Sequence, residues 1–130
     1  MSPEDIKNIV SPVFDMNANV LFAYLFGSVV KGESSPHSDI DIAVYLRDVE
    51  PDAYFEGKLA LHADLCRALM RNDVDLLVLN NANNLMLIEE IIRNGTVIYD
   101  LDRNARIDFE VMALHRAMDF KAHRYAVMGV

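Results

Sequence analysis

The segment GSVVKGESSPHSDIDIAV, residues 27–44, gathers the residue types that phosphate and metal chemistry require. Its second half alternates acidic and apolar positions, the period of a strand with one buried face. Alternate side chains of a strand share a face, so Asp39 and Asp41 project together, about 6–7 Å apart at Cα. Ile40, Ile42 and Val44 point the other way, into the core. Two carboxylates on one face of a largely buried strand repel each other, and a divalent cation between them relieves the repulsion. Hard oxygen ligands of this kind suit magnesium or manganese rather than zinc. Asp75 opens a later apolar run, VDLLVL, in the same way. If the two strands are neighbours, Asp75 completes a three-carboxylate cluster of the sort that two-metal phosphoryl chemistry uses. Asp73 shares that face by the period-2 rule, but it precedes the apolar run and belongs to the turn.

Gly27-Ser28 follows directly on an apolar run. A glycine there lets a phosphate approach the backbone, a helix starting at Ser28 aims free N–H groups at it, and the Ser28 hydroxyl adds a donor. Lys31 offers a charge for the same phosphates. Taken alone, Gly-Ser is an ordinary turn and Asp-x-Asp an ordinary solvated face. The combination carries the weight: ten residues separate Ser28 from Asp39, giving G-S-x10-D-x-D with a third carboxylate on a later strand. The remaining polar residues read more plainly. His37 is a loop residue, His62 a satisfied, partly buried histidine, and Cys66 a core residue. His115 and His123 stand too far apart for a metal site, and Arg103 and Arg106 read as solvated surface.

The elements that must hold these residues follow from periodicity. Residues 2–14 form a helix capped by Ser2, with Pro3 in its first position and Ile6, Ile9, Val10 and Val13 on its apolar stripe. Residues 19–26 read as a buried strand, 39–46 as a second, 74–79 as a third and 96–99 as a short fourth. A helix over 52–71 is expected to turn Phe55, Leu59, His62, Cys66 and Leu69 toward the core. Another, capped by Asn83 or Asn84, stops at Asn94-Gly95, and a last one over 103–125 carries Ile107, Val111, Leu114 and Met118 at helical spacing. Strands interleaved with helices predict an α/β (α+β) domain with a mixed four-stranded sheet flanked by helices.

The 130 residues fit one domain, 1–130. A hydrophobic fraction of 52% with 25% charged residues indicates an ordered core. The net charge of −8 argues against tight binding to a nucleic-acid backbone, which needs clustered Lys and Arg. It admits a single nucleotide arriving with its own cations, and it suits a basic protein partner. No run is long enough to span a bilayer, no secretory signal is evident, and the single cysteine cannot form an internal disulfide, so the cytoplasm is the expected location.

The G-S-x10-D-x-D pattern followed by the Asp75 strand resembles the signature of the DNA polymerase beta-like nucleotidyltransferase superfamily, and at this length the minimal nucleotidyltransferase (MNT) family. The resemblance extends over the VDLL strand and the stretch GTVIYDLDRNARIDFEVMALHRAMDF. It implies a nucleotidyltransferase fold, Gly27 and Ser28 as the nucleotide-phosphate loop, and Asp39, Asp41 and Asp75 as catalytic ligands of Mg2+ (or Mn2+). Lys31 stands where many relatives have arginine. Many members of that family are antitoxins paired with a HEPN-domain ribonuclease toxin. The implied reaction is transfer of AMP from ATP to a tyrosine of the cognate toxin. Two rivals are an antitoxin that only masks its toxin, and a small-molecule nucleotidyltransferase acting on an antibiotic-like alcohol.

Overall fold

The computed structural model describes residues 1–32, 39–47 and 50–128. Helix α1 (Pro3–Asp15) begins with a reciprocal cap: Asp5 N–H donates to Ser2 Oγ and Ser2 N–H to the Asp5 carboxylate. Strand β1 (Val20–Phe26) leads through Gly27 into the single-turn helix α2 (Ser28–Lys31). Strand β2 (Ile40–Leu46), helix α3 (Pro51–Leu69) and strand β3 (Val74–Val78) follow. A 3-10 turn at Leu79–Asn81 leads to helix α4 (Leu85–Asn94), strand β4 (Thr96–Asp100) and helix α5 (Arg103–Met128). Of the two candidate caps for α4, Asn84 is used: its side chain accepts from Leu87 N–H at 3.1 Å. Gly95 ends this helix without a left-handed backbone; a Cβ there would strike the carbonyl oxygen of Ile91.

The sheet has the order β3-β2-β1-β4, with β1 antiparallel to β2 and β4, and β2 parallel to β3. It is the expected mixed four-stranded sheet. One face, with Leu25, Ile42, Val44 and Leu76, packs on Ile6, Val10 and Phe14 of α1 and Leu61, Leu65 and Leu69 of α3. The other, with Phe22, Tyr24 and Ala43, packs on Ile88 and Ile91 of α4 and Phe109 and Ala113 of α5. Phe22, Tyr45 and Phe109 form an aromatic cluster on this second face, with centroids 4.9–5.7 Å apart.

The face of α3 differs from expectation. Leu69 is buried as expected, but Phe55 and Leu59 are 67% and 55% exposed, while Leu61 and Leu65 point inward. Apolar residues ring this helix, so helical spacing alone does not select one side. His62 and Cys66 sit at the edge of the packed face, and His62 Nε2–H donates to the Val74 carbonyl at 2.7 Å. That bond ties α3 to the outer strand. On α5 the spaced residues Ile107, Val111 and Met118 are likewise exposed, and Phe109, Ala113 and Ala117 make the contact instead.

Asn80 completes the sheet where β3 ends. Its side chain accepts from Leu46 N–H and donates to Leu46 C=O, both at 2.8 Å, taking the place of a strand neighbour. Asn80→Ala should therefore cost about 2 kcal/mol, because it leaves both backbone groups of Leu46 unpaired. Urea denaturation measures this, and an unchanged midpoint would show that Leu46 finds other partners.

Candidate active site

The chain turns sharply where β1 meets α2. Gly27 has φ +81° and ψ −151°, a region that only glycine occupies without strain. A Cβ on Gly27 would also collide with the Asp41 carboxylate. Glycine thus lets the turn lie directly on Asp41, the middle carboxylate of the sequence pattern. Register explains the meeting: Phe26 pairs with Asp41, and Asp41 with Asp75, in one row across three strands. Ile40, Ile42, Val74 and Leu76 occupy the opposite face, so Asp41 and Asp75 lie on the α4–α5 face, at its open end.

The two carboxyls are register partners on neighbouring strands, close enough for a hydrogen bond. Burial pushes the Asp41 carboxyl up to about 6, helped by the charge of Asp75, the hydrogen bond between them and the charge of Asp39. Asp41 is partly buried and Asp75 is exposed, so two crowded carboxylates stand open to solvent on adjacent strands, a donor set that fits a hard divalent cation. Asp39 is exposed and stands just before β2, near enough for its charge to act on Asp41. It is not drawn in as tightly: among the described residues no three His, Cys, Asp or Glu side chains gather into a metal-sized group. The sequence pattern leads one to expect three converging ligands, and the structure brings two together with the third alongside.

Ser28 follows Gly27 and opens α2. Lys31, the last residue of α2, lies 3.6 Å from Glu90 Oε1 on α4, and both side chains are about half exposed. Together with Phe26, Gly27, Leu87 and Asn94 they line a cavity of about 180 Å³. Asp73 forms a two-point ion pair with Arg71, at 2.7 and 2.6 Å. The Arg71 guanidinium holds Asp73 below the usual carboxylate range. His37 lies outside the described residues.

One polar network has no signal in the sequence. Tyr24 O–H donates to Glu110 at 2.6 Å, and Arg106 bridges Glu110 and Asp100 at 3.2 and 3.0 Å. Arg106 is thus largely covered rather than solvated surface, and it fastens α5 to β1 and β4. Glu89, also buried, is held by Lys121 at 2.7 Å and Arg93 at 3.4 Å.

A comparison with protein families finds that the model described as "Polymerase beta, Nucleotidyltransferase" matches residues 7–104, three quarters of the chain. The chain belongs to the polymerase beta nucleotidyltransferase family. Solved structures agree with the fold. A chain of a toxin–antitoxin crystal structure with AMP-PNP is 27% identical, with a TM-score of 0.74 and 95% of each chain covered. A mutant MntA-HpeT toxin–antitoxin structure is 25% identical with a TM-score of 0.72, covering 99% of this chain and 97% of that one. A chain of the Shewanella oneidensis complex of a tri-AMPylated HEPN toxin with its MNT antitoxin is 25% identical, with a TM-score of 0.69 and coverage of 97% and 95%. No curated protein sequence matches. Among the described residues no helix is long and apolar enough to cross a membrane.

Proposed function

We propose that this protein, acting as one minimal nucleotidyltransferase domain over residues 1–130, is the antitoxin of a HEPN-type toxin and silences it by transferring AMP from ATP to a tyrosine. The observation that carries this reading is the Asp41 carboxylate lying against the Gly27 turn on one side and paired in register with Asp75 on the other. The similarity to chains of toxin–antitoxin complexes, one of them a tri-AMPylated HEPN toxin with its MNT antitoxin, supports the choice of partner and of AMP as the transferred group.

In this reading the phenolic oxygen of the acceptor attacks the α-phosphorus of ATP. The bond from that phosphorus to the bridging oxygen breaks, and pyrophosphate leaves with the electron pair. The phenolic proton passes to solvent or to a nearby carboxylate. Gly27 admits the triphosphate against the backbone, and the Ser28 hydroxyl donates to a phosphate oxygen. Asp39, Asp41 and Asp75 would hold magnesium, which when bound neutralises charge on the triphosphate. Lys31 exchanges Glu90 for phosphate at little cost, since exposed pairs of this kind hold weakly.

The test incubates the protein with labelled ATP, magnesium and a HEPN partner, and follows label on the partner. Asp75→Ala should lower that transfer at least about 100-fold, since loss of a mere outer-shell partner already costs about 10–100-fold. Transfer close to wild type would remove Asp75 from the site.

A further inference from the structure

Phe55 and Leu59 on α3 lie bare to solvent although each is large and apolar, and the core does not use them. Leu59 borders a cavity of about 480 Å³ whose other walls include Phe26, Lys58, His62, Asp75 and Leu77. Phe55 borders an adjoining hollow of about 270 Å³, which shares Lys58 and Leu77 with the first. The two adjoin as a trough along the outer strand β3, starting at Asp75 and lined chiefly by apolar residues. Its larger chamber falls within the range of small-ligand sites. Phe26 stands between this trough and the smaller cavity beside Gly27 and Lys31, since it lines both. The row Phe26, Asp41, Asp75 therefore has a glycine-turn side and a β3 side.

Phosphoryl transfer places the attacking and leaving oxygens in line, on opposite sides of the phosphorus. With the leaving pyrophosphate on the Gly27–Ser28 side, the attacking oxygen arrives from the side of Asp75. We propose that the trough between α3 and β3 is the acceptor site: an aromatic hydroxyl side chain enters beside Leu59 with its oxygen toward Asp75, and the adjoining apolar residues of the partner's chain lie across Phe55. This rests on the nucleotidyltransfer reading above and adds to it the surface that selects the acceptor. Continuity with the carboxylate pair singles out the acceptor as occupant, because a molecule seated elsewhere on α3 would not touch Asp75. His62 shapes the wall rather than reacting. Its Nε2–H is committed to the Val74 carbonyl, which holds the helix at a fixed distance from the strand.

Leu59→Asp and Phe55→Asp test the assignment, since both positions are exposed and neither supports the core. Steady-state transfer of AMP to the HEPN partner is measured alongside binding of a nonhydrolysable ATP analogue with magnesium. The expected result is a fall of about tenfold or more in kcat/KM for the partner, with analogue affinity unchanged within about twofold. Leu59→Met should keep most of the wild-type efficiency, because it preserves apolar volume. Wild-type kcat/KM in both aspartate variants overturns the acceptor trough while leaving the nucleotidyltransfer reading standing. An equal loss of analogue affinity also overturns it, because the trough would then belong to the nucleotide. A wild-type protein that transfers no AMP to the partner overturns the reading of function itself, and the trough with it.

Discussion

Asp41→Asn should abolish nucleotide transfer and at the same time make the metal-free protein more stable. The carboxyl of Asp41 titrates at about 6 in the folded chain against 3.8 in its ordinary state, chiefly because it is buried and secondarily because Asp75 and Asp39 crowd it. A group with a raised folded pKa favours folding fully at pH below its unfolded value, and that advantage drains away as pH rises through the folded value. Wild-type protein in chelator therefore loses stability between about pH 4 and pH 6, and the asparagine variant does not. The full shift would correspond to about 3 kcal/mol, and solvent screening of this partly exposed carboxylate brings the expected gain nearer 1 kcal/mol above pH 6. Magnesium should reverse the order, since a cation that binds only the folded wild-type site stabilises it by mass action. Thermal denaturation of both proteins at pH 4 and pH 7, with chelator and with magnesium, reads all eight values. Identical curves for variant and wild type at pH 7 in chelator would mean that Asp41 carries no strain.

Gly27→Val carries the second large effect. Valine must adopt the φ +81°, ψ −151° backbone, at about 1–3 kcal/mol, and its Cβ must displace the Asp41 carboxylate from the turn. The substitution therefore strikes the phosphate loop and the carboxylate pair together. Affinity for a nonhydrolysable ATP analogue with magnesium should fall at least about 100-fold, or about 2.7 kcal/mol, by titration calorimetry. Ser28→Ala, which leaves the backbone intact, should fall far less. Binding of equal strength in Gly27→Val and wild type would show that the nucleotide does not use the turn.

These two residues mark how much of the site is legible in the chain itself. The alternation of Asp39 and Asp41 with Ile40, Ile42 and Val44 is enough to assign the two faces of β2, because a strand's period is set by its backbone. The pairing of Asp41 with Asp75 needs the further premise that β2 and β3 are neighbours, and the parallel register supplies it. The side of α3 is not legible: Phe55 and Leu59 share helical phase with Leu69, yet tertiary packing chooses Leu61 and Leu65. The network of Tyr24, Asp100, Arg106 and Glu110 is hidden for another reason. Tyr24 and Glu110 lie 86 residues apart, and no local pattern reports a contact made only by folding. The conflict between Gly27 and Asp41 is hidden likewise, since spacing shows that a glycine is present and not what a side chain would strike.

An antitoxin that modifies its toxin and one that merely covers it differ in a single measurement. The HEPN partner is incubated with ATP, magnesium and either the wild-type protein or the Asp39→Ala, Asp41→Ala double variant, and its intact mass is determined next to its ribonuclease activity after the antitoxin is removed. The account expects wild type to add one or more AMP units to a tyrosine and to leave the separated toxin inactive. It expects the double variant to bind the toxin, leave its mass unaltered, and release it active. A toxin of unaltered mass that wild type and double variant restrain equally, and that recovers full activity once separated from either, would contradict it.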